Sequence, residues 1–322
     1  MAQAAIDRLV TLYGGSGFIG RHVVRALAKG GWRIRVAVRR PDLAYHLQPL
    51  GMVGQIHAVQ ANLRFSDSVD RAAEGAAAVV NLVGILYERG RQSFEAVQAE
   101  GAGAVARAAA AAGARLVHIS AIGADPSSRS AYARTKAAGE AAALAAVPQA
   151  VILRPSIVFG PEDDFFNRFA AIARFAPALP LIGGGGTRFQ PVFVGDVAAA
   201  VAASLEGRAC AGVTYELGGP AVKTFRELME IMLREIGRRR LVVPLPFALA
   251  RLQAFFLEFL PKPLLTRDQV SLLERDNVVS AAAEREGRTF KGLGITPTAL
   301  ETVLPTYLWR FRKAGQFSRP AA

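Results

Sequence analysis

Cysteine is almost absent from this chain: its 322 residues include one, Cys210. A single thiol excludes an internal disulfide framework and fits a reducing compartment. With no histidine or other base beside it in sequence, Cys210 is expected as a small buried residue rather than a nucleophile. Long apolar runs are also missing. None reaches the ~18 to 20 residues that a membrane span needs, and the nearest approach, Phe247 to Leu260, is interrupted by Arg251, Gln253 and Glu258. The chain enters its first strand almost at once, without a basic stretch followed by an apolar core, so export is not expected. Lysine is sparse: the 39 basic residues are 33 Arg and 6 Lys, in a chain of formal net charge +13. That charge invites a nucleic-acid reading, but the arginines are scattered and no nucleic-acid motif or basic and aromatic interleaving accompanies them. No nucleic acid is expected, and a basic face toward an acidic partner or lipid headgroups stays open. Alanine runs such as Ala108 to Ala112 read as part of the same bias toward Arg and Ala.

What is present begins with an apolar strand, Leu9 to Tyr13, that runs into Gly14-Gly15-Ser16-Gly17-Phe18-Ile19-Gly20 and then a helix. This is the layout of a dinucleotide site. Gly14 gives the tight turn, Gly17 the close approach of backbone to pyrophosphate, and Gly20 the packing of helix on strand. Free amides at the helix start, in the loop and turn holding Ser16, Phe18 and Ile19, would carry the phosphates with help from the helix dipole. An NAD site places an acidic residue about 20 residues on, at the end of the second strand. Here that strand, Arg33 to Val38, ends instead in Arg39-Arg40-Pro41. Guanidinium forks suit a 2′-phosphate, so NADP(H) is the expected cofactor. No metal site is expected.

Strands and helices then alternate. A polar helix over 42–50, a strand over 55–60, a helix over 66–74 and a strand over 78–83 are followed by a long helix over 93–112 and a strand over 115–119. A helix over 131–146 and a strand over 150–153 complete the series. Such alternation requires parallel strands with right-handed crossovers, hence an α/β, Rossmann-like doubly wound sheet whose ligands bind at the carboxyl ends of the strands. Residues 1–160 are assigned to this core. Residues 161–322, richer in Pro and Gly, are assigned to the last sheet strands, at about 187–220, and a smaller, mainly helical C-terminal docking region.

Candidate chemistry lies at Tyr132-Ala133-Arg134-Thr135-Lys136 on the first turn of a helix, with Ser120 at the end of the preceding strand. Residues four apart share one helix face, so Tyr132 and Lys136 project side by side. An ammonium beside a phenol lowers its pKa from about 10 and makes it a usable acid or base at a carbonyl or alcohol. Ser120 could orient the substrate oxygen.

These segments, with Arg154 to Pro161, Val192 to Ala198 and Tyr215 to Pro220, make the first 220 or so residues resemble the extended short-chain dehydrogenase/reductase family. The resemblance implies that Tyr132 and Lys136 hold the nicotinamide ribose, and that Pro155 and the segment after it, including Ile157, line the nicotinamide. A narrower resemblance covers nearly the whole chain. His46 to Gln55, Val80-Asn81-Leu82-Val83-Gly84, Phe159 to Asn167 and Leu265 to Val270 look like the dehydrogenase-like accessory subunits of respiratory complex I. It implies an NADPH-carrying structural subunit on the peripheral arm near the membrane and the quinone entrance. Without a mitochondrial presequence the alphaproteobacterial type is expected, peripheral on the cytoplasmic face of the inner membrane and bound to other complex I subunits. Two departures from the enzyme pattern agree with a non-catalytic role. Asn62, before Leu63, stands where the family's enzymes keep an adenine-binding Asp, and Gln98 stands where they keep a relay Asn. Leu63, Leu82, Val83 and Gly84 are counted with the cofactor site, and Ser120, Tyr132 and Lys136 as vestigial catalytic candidates. The alternative is a free NADP-dependent short-chain reductase or a sugar-nucleotide epimerase or dehydratase.

In the C-terminal third, Leu249, Leu252, Phe256 and Leu260 form one helical stripe between Pro246 and Pro261. Such a stripe is either a core helix or one lying on a membrane or partner, which the neighbouring Arg238-Arg239-Arg240 and Lys262 would suit. Trp309 to Lys313 could serve likewise.

Overall fold

The structure is a computed structural model that describes residues 8–261 and 263–315; Lys262 lies outside them. In chain order the elements are β1 (Leu9–Tyr13), α1 (Phe18–Lys29), β2 (Arg33–Val38), β3 (Ile56–Gln60), α2 (Ser66–Ala73), β4 (Ala78–Asn81), α3 (Glu100–Ala111), β5 (Arg115–Ile119), α4 (Ala131–Ala146) and β6 (Val151–Pro155). Then follow β7 (Val158–Phe159), α5 (Phe166–Phe175), β8 (Ala178–Ile182), β9 (Arg188–Phe189), β10 (Val192–Phe193), α6 (Val194–Leu205) and β11 (Thr214–Leu217). The remainder holds β12 (Lys223–Thr224), α7 (Phe225–Glu235), β13 (Leu241–Leu245), α8 (Phe247–Leu257), α9 (Arg267–Leu272), α10 (Ala281–Arg285) and α11 (Leu300–Leu308). The described residues fall into two compact units, one within 1–155, 195–217 and 280–296, the other within 156–194, 218–279 and 297–322.

The first unit is built on a seven-stranded, all-parallel sheet in the order β11-β6-β5-β4-β1-β2-β3. The Rossmann-like doubly wound arrangement is therefore as the alternation predicts. Strands covered on both faces read as continuous apolar runs, and β4 is buried at all four positions. The order reverses between β1 and β4, which opens a crevice above their carboxyl ends. Of the strands near 187–220, only β11 joins this sheet; β9, β10 and β12 pair in two-stranded ribbons. The alanine runs have a packing role that composition hides. Ala102, Ala106, Ala108 and Ala109 of α3 are almost fully buried, and on α4 a Cβ at Gly139 would stand 2.2 Å from the Gln98 carbonyl oxygen. Small side chains let these helices approach at backbone distance.

Local chemistry redraws several expected elements. The segment expected as a helix over 42–50 is instead two 3₁₀ turns, Pro41–Leu43 and Tyr45–Leu50, with Pro49 inside the second; proline has no N–H for an α-helical bond. The strand expected to reach residue 83 stops at Asn81. The long helix over 93–112 widens into a π-helical turn at Glu95–Ala99 before α3 begins. Cys210 corrects the expectation of burial: it is exposed, in the connection before β11, with its N–H donating to the Tyr215 hydroxyl at 2.9 Å.

The second unit has its own core. Phe159, Phe166, Leu179, Phe225, Met229, Met232 and Leu304 are buried together, and the Phe165 ring meets those of Phe166 and Phe169 at 5.0 and 5.4 Å. Into this apolar core α11 brings Tyr307, whose hydroxyl donates to Asp163 at 2.6 Å. The Trp309 to Lys313 segment, considered for docking, is partly engaged within this unit. Arg310 donates to Pro161 O and Asn167 Oδ1, and Arg312 to Glu235 O. Among the described residues no helix is long and apolar enough to cross a membrane, and no cluster of metal ligands occurs.

Candidate functional site

At the carboxyl end of β1 the chain must turn sharply under the following helix. Gly14 does so with φ at +81°, its N–H on Ala37 O at 3.3 Å. A Cβ there would also press on Val83 and the Leu82 carbonyl carbon at 3.1 to 3.2 Å. At Gly20 a Cβ would stand 2.5 Å from the carbonyl oxygens of both Gly14 and Gly15, so only glycine lets α1 sit this close to the turn. No side chain caps α1 and no acid occupies its first turn. Its first amides, at Phe18, Ile19 and Gly20, lack intrahelical acceptors and point their positive helix end toward the crevice.

A cleft of about 280 Å³ lies there. Its walls hold nine of the residues expected from sequence: Gly14, Ser16, Gly17, Arg39, Asn62, Leu63, Leu82, Val83 and Gly84. Phe18, Ile19 and Gly20 lie in the first turn of α1 beside it. Arg40 is not in the wall. It faces Asp42 in a two-point ion pair at 2.7 and 3.4 Å, because Pro41 turns the chain back on itself there. Arg39 makes no ion pair with any described residue.

A second arginine in the wall, Arg64, is missed by reading the sequence for one position after β2. Its signal is there: it stands two residues beyond Asn62, whose Oδ1 accepts the Arg64 N–H at 3.2 Å and fixes the turn. The Asn62 backbone is held in turn by Ser68, and its side chain lines the cleft. Tyr13, Ile85, Gln92 and Val97 also line the cleft unforeseen.

At the end of the cleft marked by Gly84, α4 and β5 bring Lys136, Tyr132 and Ser120 together. Ser130 caps α4 by accepting the Ala133 N–H. That sets the first turn so that Lys136 Nζ lies 6.0 Å from the Tyr132 ring and donates to Ile119 O at 3.1 Å. A Cβ on Gly84 would come within 3.3 Å of Nζ. Burial pushes the Lys136 pKa down to about 8, and Glu140 raises it only in part. Glu140 is already committed to Arg154, with oxygen-to-nitrogen distances of 2.6 and 2.8 Å. Ser120 is 4% exposed, and its hydroxyl has no hydrogen-bond partner among the described residues. Gln98, in the relay position, donates instead to Ile85 O at 2.9 Å and so fixes the cleft wall. Pro155 ends β6 of this unit and is not among the residues that line the cleft, and Ile157 belongs to the second unit.

A glycine cradle, an uncapped helix start, two arginines without an ion pair among the described residues, Arg64 lying over the Phe65 ring at 5.8 Å, and a hydroxyl without a hydrogen bond fit a nicotinamide dinucleotide. The comparisons agree in kind. Residues 10–218 match the NAD dependent epimerase/dehydratase family. The chain is 38% identical over 320 residues to the mitochondrial NADH dehydrogenase (ubiquinone) 1 alpha subcomplex subunit 9 of Arabidopsis thaliana, covering 95% of this chain and 79% of that one. It is also 38% identical over 195 residues to a ceramide reductase of Caulobacter vibrioides, covering 61% of this chain and 60% of that protein. Its fold matches DesIV, a dTDP-glucose 4,6-dehydratase from Streptomyces venezuelae solved with NAD and TYD bound, at TM-score 0.73 and 22% identity, over 94% of this chain and 96% of that one. The chain belongs to the NAD dependent epimerase/dehydratase family.

Proposed function

We propose that this protein is an NADP(H)-binding accessory subunit of a proton-pumping NADH:quinone oxidoreductase, a bacterial complex I, holding its nucleotide as a structural element. The observation that carries the reading is the extent of the match to the plant subunit, which runs past the dinucleotide fold through the C-terminal third. In this reading the first turn of α1 holds the pyrophosphate, Arg39 and Arg64 hold the 2′-phosphate, Asn62 meets adenine, and Lys136 and Tyr132 hold the nicotinamide ribose. A bound dinucleotide stabilises a fold by mass action, about 2.7 kcal/mol at a hundredfold excess over its dissociation constant, without reacting. The partners are other complex I subunits of the peripheral arm, and the location is the cytoplasmic face of the inner membrane. Solubilising membranes in detergent and isolating complex I tests this: the chain should copurify, and denaturation should release NADP(H). A chain found free of the complex, or releasing only NAD(H), overturns it.

One observation favours a second reading as a free NADP-dependent reductase: the buried, unpartnered Ser120 hydroxyl beside an intact Tyr132 and Lys136. The nucleotide, when bound, would supply hydride chemistry. Ser120 would then orient a carbonyl oxygen and Tyr132 would give it a proton. Steady NADPH consumption with a carbonyl substrate, lost in Tyr132→Phe, would support it.

A further inference from the structure

The second unit shows an apolar face that its own core leaves uncovered. On α8, Ala250 and Ala254 are buried with Ile182 and Val270. On the other side Leu249, Leu252 and Phe256 are 52%, 56% and 64% exposed, and Phe259 beyond them is 77% exposed. With about 3.6 residues per turn, these two sets point in opposite directions. The rings of Phe255, Phe256 and Phe259 meet edge to face at 5.4 and 5.6 Å, which joins them into one surface. Proteins rarely leave such a contiguous face in water without a use for it.

The charges beside this face are already neutralised. Arg251 pairs with Glu274, and Arg267 pairs with Glu258 while lying over the Phe255 ring at 5.3 Å. Covering the face would therefore strand no charge. Just upstream the balance is opposite. Arg238, Arg239 and Arg240 precede β13, and Arg174 lies in the last turn of α5; none of the four pairs with a carboxylate of the described residues. They are close together, since the Arg240 guanidinium donates to Ala173 O at 2.8 Å. Burial, then the nearby Arg240 and Arg174, hold the Arg238 pKa below its usual value. Among these arginines Phe175 and Leu241 are exposed at 84% and 70%.

We propose that the outer face of α8 and the cluster of Arg174 with Arg238 to Arg240 form a docking surface for an anionic lipid bilayer. The Leu and Phe side chains enter the acyl boundary and the guanidiniums meet headgroup phosphates. The argument is charge complementarity: one strip of chain displays cations without counterions and apolar side chains without cover, and an anionic bilayer interface satisfies both. The proposal deepens the accessory-subunit reading by naming its membrane-facing surface. Testing it on the purified full chain keeps its failure separate from failure of that reading.

The experiment is co-sedimentation with phosphatidylcholine vesicles, with and without phosphatidylglycerol, at low and high salt. The wild type should sediment with the anionic vesicles and be released by salt. The pair Arg238→Gln and Arg239→Gln should weaken that partitioning roughly thirtyfold. Phe256→Glu, at an exposed position, should abolish it while thermal melting and NADPH retention stay unchanged. A wild type that stays in the supernatant, or variants that sediment like it, overturns the proposal. So does a chain that ignores vesicles but is lost from isolated complex I in Phe256→Glu, which would make the face a protein contact.

Discussion

The Asn81 side-chain amide nitrogen lies 3.2 Å from His118 Nδ1, a buried polar contact between neighbouring strands β4 and β5. An amide nitrogen only donates, so Nδ1 accepts and the imidazole carries its proton on Nε2. The other end of Asn81, Oδ1, accepts the Val83 N–H at 3.1 Å. Val83 forms part of the cleft wall, so this pair ties the sheet interior to the site.

Acid stability should therefore depend on His118. Burial, with a smaller effect from Lys136, pushes its pKa down to about 3 from 6.5. Below pH 6.5 the unfolded chain takes up a proton that the folded chain refuses until about pH 3, so stability falls across that window. His118→Gln should flatten the decline in urea-unfolding free energy between these values. An unchanged slope would show that other groups govern it.

The three arginines near β2 and β3 should separate cleanly. Arg39→Ala and Arg64→Ala should each cost about 1.5 to 3 kcal/mol of NADPH affinity, the value of a charge-assisted contact, and barely alter NADH affinity. Arg40→Ala should leave both unchanged, because its guanidinium faces Asp42. Calorimetric titration of the three variants with each nucleotide checks the pattern, and equal losses of NADH and NADPH would rule out a 2′-phosphate contact.

Lys136 should make nucleotide retention and intrinsic stability respond to pH in opposite senses. Its folded pKa is about 8 against an ordinary 10.5. Between these values the unfolded chain binds the extra proton, so for this group stability rises with pH, its burial cost being full below 8. The ammonium that would face the ribose is lost over the same range, so NADPH retention should weaken from pH 8 upward. Lys136→Met should remove both trends, and Tyr132→Phe should leave both in place. Melting curves and nucleotide release measured from pH 7 to 10, as a range of about three units around that value, would show whether the two trends diverge.

Tyr307→Phe should destabilise the second unit. Desolvation raises the Asp163 pKa, and the bond from Tyr307, with the amides of Gly160 and Asn167, works against it. Removing the hydroxyl leaves a carboxylate that is 2% exposed short of one donor, at a cost of about 1.5 to 3 kcal/mol. Thermal melting should register the loss while NADPH affinity, set by the other unit, stays the same.

The sequence by itself determined the repeating strand and helix order, the glycine turn at Gly14 to Gly20 and the pairing of Tyr132 with Lys136. All three are local, since a period, a turn conformation and a four-residue spacing are written within one turn or strand. It also placed Leu249, Leu252, Phe256 and Leu260 on one stripe, but an apolar stripe looks the same whether it faces a core or water. Only the tertiary structure decided that Ala250 and Ala254 take the buried side and the Leu and Phe side chains the outer one. The same holds for the arginines. Arg39 and Arg40 are adjacent and chemically equal in the sequence, and it is the fold that turns one into the cleft and the other onto Asp42, while bringing Arg64 in from the end of β3. Long-range proximity depends on which strands become neighbours, and no single segment of the chain carries that information.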